Sequence, residues 1–280
     1  MHRLSRSIAL AGLLTALVTG LTAGAAAAAG SPTVGHVYVN NNSTGRNSVA
    51  GFDRHADGSL TPIPGSPFDA GGAGTGSPFG SAGGLQESPD GRYLLATDPA
   101  SNQISVLRID PDGSLQLASI HASNGTTPSS IAIHGGLVYV ANDGAGGSNY
   151  TGFRLNPVGR LIPIPGSTVA LPDDALPGQI LISPDGGALF AVNTGAGSVS
   201  RYAVAADGSL TLVGSTGLNT PTGLRAFDAG LSPDGAFLYI VDAGVARVSA
   251  FAVDGTTITE IAGSPIAIPG GAAPFGMVVD

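Results

Sequence analysis

One pattern of roughly 50 residues occurs five times in this chain of 280 residues, and this periodicity limits the possible folds more than any single motif does. An aromatic residue within an apolar run recurs at Tyr38, Tyr93, Tyr139, Phe190 and Tyr239. A turn glycine recurs with similar spacing at Gly58, Gly113, Gly159, Gly208 and Gly255. Two landmarks that keep the same spacing indicate a duplicated structural unit. Repeats of about 40 to 50 residues built from short strands are typical of β-propellers.

Each repeat is predicted to fold as four antiparallel strands. The first strand ends in a Ser-Pro-Asp-Gly turn at 88–91, 183–186 and 232–235, in which proline presets φ, aspartate caps the turn and glycine takes a positive φ. A second strand, apolar on both faces, is predicted at His36–Asn40, Arg92–Thr97, Leu137–Asn142, Ala188–Asn193 and Phe237–Asp242. A third strand is predicted at Ser48–Phe52, Gln103–Ile109, Tyr150–Leu155, Ser198–Val204 and Arg247–Val253. It turns mostly through Asp-Gly, a strong hairpin signal, into a short outer strand.

The two ends of the chain are predicted to complete one blade together. The first repeat opens in a second strand with no innermost strand before it, and residues 274–280 have the form of an innermost strand. Pairing this segment with the region near Val37 would remove two open sheet edges. The sequence therefore predicts an all-β propeller of five four-stranded blades, closed by its N- and C-terminal strands. The alternative is that the chain forms part of a seven-bladed arrangement.

Residues 1–29 resemble a secretory signal peptide rather than part of the fold. Arg3 and Arg6 make a basic start, an apolar stretch follows from Ile8 to Leu21, and Ala25–Ala29 offers an A-x-A cleavage site. An uncleaved membrane anchor is the alternative, but a spanning helix needs about 20 strongly apolar residues. We predict cleavage near Ala29, a secreted or cell-envelope location without membrane insertion, and a single propeller domain over 30–280.

Composition excludes several classes of chemistry. The chain has no cysteine, so disulfides, thiolate nucleophiles and cysteine metal sites are excluded. It also has no lysine, which rules out a Walker A or Schiff-base lysine. Without Arg3 and Arg6, nine arginines face 19 acidic residues, so the surface would repel nucleic acid. We expect no cofactor and no metal, and the Asp173–Asp174 pair lacks the spacing of a calcium loop.

The repeat resembles that of the lactonase-type β-propellers, which include the propeller form of 6-phosphogluconolactonase and the YVTN-repeat proteins. The resemblance rests on Gly-Leu-Val-Tyr-Val-Ala-Asn at 136–142 and Gly-His-Val-Tyr-Val-Asn-Asn at 35–41, together with Asp-Gly-Ser-Leu at 57–60, 112–115 and 207–210. It covers essentially the whole chain after residue 29 and implies seven blades, with either lactone hydrolysis or simple ligand binding. The matched elements are turns and packing strands, so the resemblance is specific for the fold rather than for the activity.

Five residues are candidates for chemistry on the irregular loops or in the channel. Hydrolysis of a lactone needs a base and donors for the developing oxyanion. His121 is predicted near a loop end as the base, and Glu87, one of only two glutamates, in an innermost strand as an acid or base. Arg225 would clamp the oxyanion as a third catalytic group. Arg46 and Asp228 are predicted to bind substrate. A structural role, as a solvated or capping side chain, is the alternative for each.

Two functions therefore remain open at this stage. The first is a secreted lactone hydrolase, with His121, Glu87 and Arg225 converging at the channel mouth. The second is a non-catalytic propeller that binds a protein, a glycan or a small ligand through its loop face. A small-molecule or carbohydrate ligand is compatible with both hypotheses, and the sequence does not specify an oligomeric state.

Overall fold

Short antiparallel strands make up almost all of the regular structure. The computed structural model describes residues 31–77, 82–218, 226–271, 274 and 276–279, in which the only helix is one 3-10 turn, Pro99–Ser101. The strands form five separate sheets, each spanning one sequence repeat. This arrangement confirms the all-β propeller prediction. The predicted signal peptide lies outside the described residues.

The first two blades differ in their innermost strand. Blade 1 comprises β1 (Thr33–Asn40), β2 (Ser48–His55), β3 (Leu60–Pro62) and β4 (Phe68–Asp69). Its sheet order is β1-β2-β3, and β4 also pairs with β2, so β1 is an edge strand. Blade 2 comprises β5 (Leu85–Glu87), β6 (Tyr93–Asp98), β7 (Gln103–Ile109) and β8 (Leu115–Ala122), hydrogen-bonded in that order. The strand β5 is therefore innermost in blade 2, and blade 1 has no equivalent of it among the described residues.

The other three blades repeat the arrangement of blade 2. Blade 3 comprises β9 (Pro128–His134), β10 (Leu137–Asn142), β11 (Asn149–Leu155), β12 (Leu161–Pro163) and β13 (Val169–Ala170). Blade 4 comprises β14 (Pro177–Ile182), β15 (Ala188–Asn193), β16 (Ser198–Val204) and β17 (Leu210–Gly217). Blade 5 comprises β18 (Ala226–Leu231), β19 (Phe237–Asp242), β20 (Arg247–Asp254), β21 (Thr257–Glu260) and β22 (Ile266–Ala267). In blades 3 and 5, two short segments share the outer position.

The Ser-Pro-Asp-Gly sequences form the turns that their chemistry predicts. The serine hydroxyl donates to the aspartate two residues on, from Ser88 to Asp90 at 2.6 Å and from Ser232 to Asp234 at 2.6 Å. These hydrogen bonds hold the pKa values of both carboxyl groups below their usual range. The glycine that closes the first turn, Gly91, has φ of 70°, which a residue with a side chain rarely adopts.

Hydrophobic cores lie between neighbouring blades rather than within one sheet. Four such clusters are found in the described part of the chain, and they join blades 1 to 2, 2 to 3, 3 to 4 and 4 to 5. In the second of them, for example, Leu95 from blade 2 packs with Ile131 and Phe153 from blade 3. This packing explains why the second strands are apolar on both faces, because each face of a blade between two others is buried against a neighbouring blade.

A repeated tyrosine hydrogen bond joins blades 1, 2 and 3 each to the following blade, whereas blade 4 has Phe190 at this position. Tyr38 of blade 1 donates to the carbonyl of Gly113 in blade 2 at 2.7 Å. Tyr93 of blade 2 likewise reaches Pro157 in blade 3 at 2.9 Å, and Tyr139 of blade 3 reaches Gly208 in blade 4 at 2.7 Å. The acceptors lie in the third-to-fourth-strand turns, so the recurring aromatic residue and the recurring turn glycine are two halves of one contact.

The predicted closure of the ring is not formed in this structure. No described strand pairs with the free edge of β1, and Val39 on that strand is 48% exposed. The C-terminal segment lies instead beside β18 of blade 5, where the amide of Met277 donates to Asp228 Oδ2 at 2.7 Å. The prediction that this segment lies along the region near Val37 is therefore wrong for this structure. Five blades joined through four cores form an open arc.

Candidate functional site

A cavity of about 860 Å³ opens where blades 1 and 2 meet, beside the free edge of β1. We call it the Asn-rich cavity and define it by its described lining: Tyr38, Val39, Asn40, Asn41, Asn42, Ser43, Thr44, Gly76, Ser77, Gly83, Gly84, Leu85, Thr97 and Pro99. One part of it follows the edge of β1 opposite β5. The other part is walled by the β1–β2 loop, on the face that carries the irregular connections.

The β1–β2 loop is held to the segment after β4 by a reciprocal pair of hydrogen bonds. Asn42 Nδ2 donates to the hydroxyl of Thr75 at 2.7 Å, and the amide of Thr75 donates to Asn42 Oδ1 at 2.8 Å. The amide of Gly76 also donates to the Asn42 carbonyl at 2.8 Å. Asn42 itself has φ of 49°, a left-handed conformation that asparagine tolerates better than most residues. Its side chain is therefore part of the scaffold of the cavity wall.

A second network ties the floor of the cavity to blade 2. The buried Asn47 donates from Nδ2 to Asn40 Oδ1 at 2.9 Å and to Asp98 Oδ1 at 2.8 Å. Its Oδ1 accepts the amide of Ser43 at 3.0 Å. Asn40 Nδ2 donates to the carbonyl of Thr97 at 3.0 Å. These bonds satisfy the buried polar groups locally, so the exposed side chain of Thr44 remains available to a ligand. Asn41, also exposed, donates one amide hydrogen to the Ser48 hydroxyl at 2.9 Å, which leaves its second amide hydrogen and its Oδ1 for a ligand.

The wall of the cavity is polar but almost free of charge. Among the described lining residues, Tyr38 is the only one with an ionisable side chain, and burial raises its pKa to about 12, so it is neutral near pH 7. Amide and hydroxyl groups supply the remaining polar contacts. Such a surface suits a neutral polyhydroxylated ligand, because amides and hydroxyls both donate and accept hydrogen bonds.

Glu87 lies next to this cavity along β5. Leu85 lines the cavity, and side chains two residues apart on a strand share one face, so Glu87 projects to the same side as Leu85. After burial, its charge is the next largest influence that raises the pKa of Tyr38. The Glu87 side chain is exposed. The structure therefore leaves the predicted role of Glu87 as an acid or base open to test.

His121 does not line the cavity. It lies in β8, the outer strand of blade 2, where Nε2 contacts the Ser119 hydroxyl at 2.9 Å and accepts the amide of Leu161 in blade 3 at 3.1 Å. Desolvation, with a smaller contribution from Arg160, lowers the pKa of its imidazole. Three strand spacings of about 4.8 Å separate β8 from β5, so the chains at His121 and Glu87 are at least about 14 Å apart. The structure does not bring these two residues together.

The remaining predicted residues are dispersed. Arg46 is exposed at the tip of the β1–β2 loop and pairs with Asp69 at 3.1 Å, outside the lining of the cavity. Asp228 lies on β18 of blade 5, where it accepts the amide of Met277. Arg225 lies outside the described residues. The structure therefore does not bring His121 and Glu87 to one channel mouth, and the place of Arg225 in the site stays a prediction.

The sequence predicted a functional loop at 40–47, but Arg46 was chosen as its substrate-binding residue rather than the neutral residues beside it. The signal for the cavity was the run Asn-Asn-Asn-Ser-Thr at 40–44, the densest cluster of small polar side chains in the first repeat. Residues that end the second strands bond seven residues on in every blade, as in Asn142 with Asn149 at 2.8 Å and Asp242 with Ser249 at 3.0 Å. This recurrence agrees with a capping role at those positions.

Two classes of site have no support in the described residues. No three His, Asp or Glu side chains there lie close enough together to hold a metal ion. No helix in that part of the chain is long and apolar enough to cross a membrane.

Comparison with known proteins gives a consistent family. A family model described as lactonase, 7-bladed beta-propeller, matches residues 28–157 and 146–259. No match was found among curated protein sequences. The periplasmic gluconolactonase of Pseudomonas aeruginosa is 19% identical, with a TM-score of 0.69 over 84% of this chain and 70% of its own. A protein from Lactobacillus plantarum is 17% identical, with a TM-score of 0.66 over 83% of this chain and 68% of its own. The chain thus spans about two-thirds of the length of these structures.

Proposed function

This chain belongs to the family of seven-bladed β-propeller lactonases, and on that premise we propose that it hydrolyses an uncharged sugar lactone bound in the Asn-rich cavity. The observation that carries the substrate class is the neutral, hydroxyl- and amide-rich wall beside blade 1. A cavity of about 860 Å³ is large enough for a ligand of this size.

The charge of the site argues against a phosphorylated substrate. Phosphate groups are usually bound by arginine, lysine or a helix N-terminus, and no such group is found among the lining residues. The nearest arginine in the loop, Arg46, is already paired with Asp69. The chain carries a formal net charge of −8, which would further disfavour an anionic substrate.

Different residues at the cavity would bind the substrate and transfer the proton during ring opening. Water adds to the lactone carbonyl, the resulting oxyanion collapses, the ring C–O bond breaks, and the ring oxygen takes up a proton to give a hydroxy acid. Amide and hydroxyl groups of Asn41, Ser43 and Thr44, at the loop end of the cavity, would bind the sugar hydroxyls, so that the lactone carbonyl lies at the β5 end, nearer Glu87. Glu87 would accept the proton of the attacking water and return it to the leaving oxygen.

The proposed site of action is outside the cytoplasm. We propose that residues 1–29 are removed on export and that the lactone is met outside the cytoplasm. A relative of similar fold is described as a periplasmic gluconolactonase, which is consistent with this proposal. Mass spectrometry of protein secreted by an expression host would give the new N-terminus, which we expect at Gly30.

A second candidate function is ligand binding without turnover. It is favoured by the wall itself, because Tyr38 is the only ionisable side chain among the lining residues. A protein that binds glucono-lactone or gluconate with measurable affinity, but accelerates no hydrolysis, would match this alternative.

The test compares the two glutamates of the chain. We expect the purified protein, residues 30–280, to open glucono-δ-lactone faster than buffer, measured by base uptake in a pH-stat, and to prefer it to the 6-phosphorylated lactone. Glu87→Gln should lower kcat by about 100-fold or more, the usual effect of removing a general base. Glu260→Gln is the matched control, since Glu260 lies in the outer part of blade 5 and bonds Ser264. Equal rates for Glu87→Gln and wild type would eliminate the mechanism, and no rate above buffer would leave only binding.

A further inference from the structure

One carboxylate under the Asn-rich cavity differs from its counterpart in blade 5. Asp98 and Asp242 both end second strands and both are fully buried. Arg247, five residues after Asp242, donates from Nε to its Oδ2 at 2.9 Å. The residue five positions after Asp98 is Gln103, and no described basic side chain forms an ion pair with Asp98. Burial of an unpaired carboxylate is costly, so Asp98 must be stabilised in another way.

The Ser105 hydroxyl has two short contacts but only one hydrogen, which indicates how Asp98 is stabilised. The Ser105 hydroxyl oxygen lies 2.5 Å from the carbonyl oxygen of Ala70 and 2.5 Å from Asp98 Oδ2. A hydroxyl has one hydrogen, and a backbone carbonyl can only accept. If Ser105 donates its hydrogen to the Ala70 carbonyl, the contact between Ser105 Oγ and Asp98 Oδ2 can be a hydrogen bond only when Asp98 carries a proton. The other oxygen, Oδ1, accepts from Asn47 Nδ2 at 2.8 Å and needs none.

We propose that Asp98 is a neutral carboxylic acid near pH 7 and that its proton latches blade 2 to the blade 1 segment that walls the cavity. The chain of hydrogen bonds runs from Asp98 Oδ2 to Ser105 and from Ser105 to the carbonyl of Ala70. A side-chain carbon on Gly72 would overlap the Asp98 carboxyl group, so the segment at 70–77 lies directly on it.

The surroundings favour the neutral form. Desolvation is the largest influence and raises the pKa of Asp98; the Ser105 and Asn47 hydrogen bonds oppose it by less, and the charge of Asp69 adds the smallest contribution, which also raises the pKa. The charged groups on the packed blade 1 segment are Asp69 and its partner Arg46, both largely exposed. None of these groups supplies a positive charge to the carboxyl oxygens.

The latch bears directly on the shape of the cavity. Thr97 and Pro99, on either side of Asp98, line the cavity, and so do Gly76 and Ser77 at the end of the latched segment. Loss of the proton at higher pH would leave a buried negative charge facing Ser105 and would weaken the hold on this segment. Ligand affinity should therefore fall as pH rises through the pKa of Asp98. This last consequence rests on the proposed function, whereas the protonation state does not.

The direct test is the infrared spectrum of the protein, in which a protonated carboxylic acid absorbs apart from a carboxylate. The wild type should show a protonated carboxyl band at pH 7 that Asp98→Asn removes, because the amide replaces the donor and the acceptor without a charge. Asp242→Asn is the matched control and should leave that band unchanged. A wild-type spectrum without the band, or a band that only Asp242→Asn removes, would overturn the proposal.

Hydrogen exchange tests the latch without any need for lactonase activity. The amides of Gly74 and Gly76 are bonded to the β1–β2 loop. Above the pKa of Asp98, their protection in the wild type should fall by up to about tenfold per pH unit after correction for intrinsic exchange, the limit for release of one proton. In Asp98→Asn it should not depend on pH. The same pH dependence in both proteins would refute the latch even if hydrolysis were observed.

Discussion

The tyrosine hydrogen bonds between blades allow a test of how the arc is held together. Tyr139→Phe removes one hydroxyl and leaves the ring in place. Tyr139 is fully buried, and its hydroxyl donates to the carbonyl of Gly208 in the next blade. A typical hydrogen bond contributes about 0.5–1.5 kcal/mol, and an unsatisfied buried acceptor costs about 1–3 kcal/mol. We therefore expect the free energy of unfolding to fall by about 1–2 kcal/mol.

The assay is urea unfolding followed by circular dichroism, in which the midpoint should fall while the slope with denaturant stays the same. Tyr239→Phe is the matched control. Tyr239 is the recurring aromatic residue of blade 5, and no described residue accepts a hydrogen bond from it, so its loss should change stability by less than about 0.5 kcal/mol. Tyr139→Phe without effect would refute the role of the hydrogen bond. If Tyr239→Phe lowered the free energy of unfolding as much, Tyr239 would have to donate to an acceptor in another blade. In a closed ring, that acceptor would lie in the turn at Gly58 of blade 1. An equal loss would therefore refute the open arc.

Two further substitutions follow from the same contacts. Gly72→Ala places a methyl group where the Asp98 carboxyl group lies, so we expect the free energy of unfolding in urea to fall by about 1–3 kcal/mol. Gly217→Ala is the matched control, because Gly217 also lacks a positive φ and has no atom near the added methyl group, so it reports the backbone effect alone. His121→Ala removes the acceptor of the buried Leu161 amide, so the free energy of unfolding should fall by about 1–3 kcal/mol, while lactone hydrolysis should stay within twofold of wild type. A large loss of hydrolysis in a stably folded His121→Ala protein would restore this residue to the active site.

The strands and turns were predictable because their signals are local. The Ser-Pro-Asp-Gly turns need only four residues, and an apolar run such as Leu137–Asn142 is identified by its own composition. The register between strands then follows from the turns. The recurrence of these signals in five repeats predicted five sheets, and the described residues form five.

The contacts that depend on distant parts of the chain were not predictable in the same way. We expected His121 near a loop end, but it lies within β8, which continues through Ala122. The length of this outer strand depends on its contacts with blade 3, such as the hydrogen bond from the Leu161 amide to His121. The wall of the cavity requires the segment after β4 to fold back onto Asn42, more than 30 residues earlier. Ring closure depends on the angle between blades, which no local motif encodes.

The binding site itself can be located by one measurement, the crystal structure of Glu87→Gln soaked with glucono-δ-lactone, in which slow hydrolysis preserves the ligand. We expect density in the Asn-rich cavity, with ligand oxygens within hydrogen-bond distance of Asn41 or Thr44. Density beside His121 at the blade 2–blade 3 boundary, or on the turn face near Arg92, with the cavity empty, would contradict it.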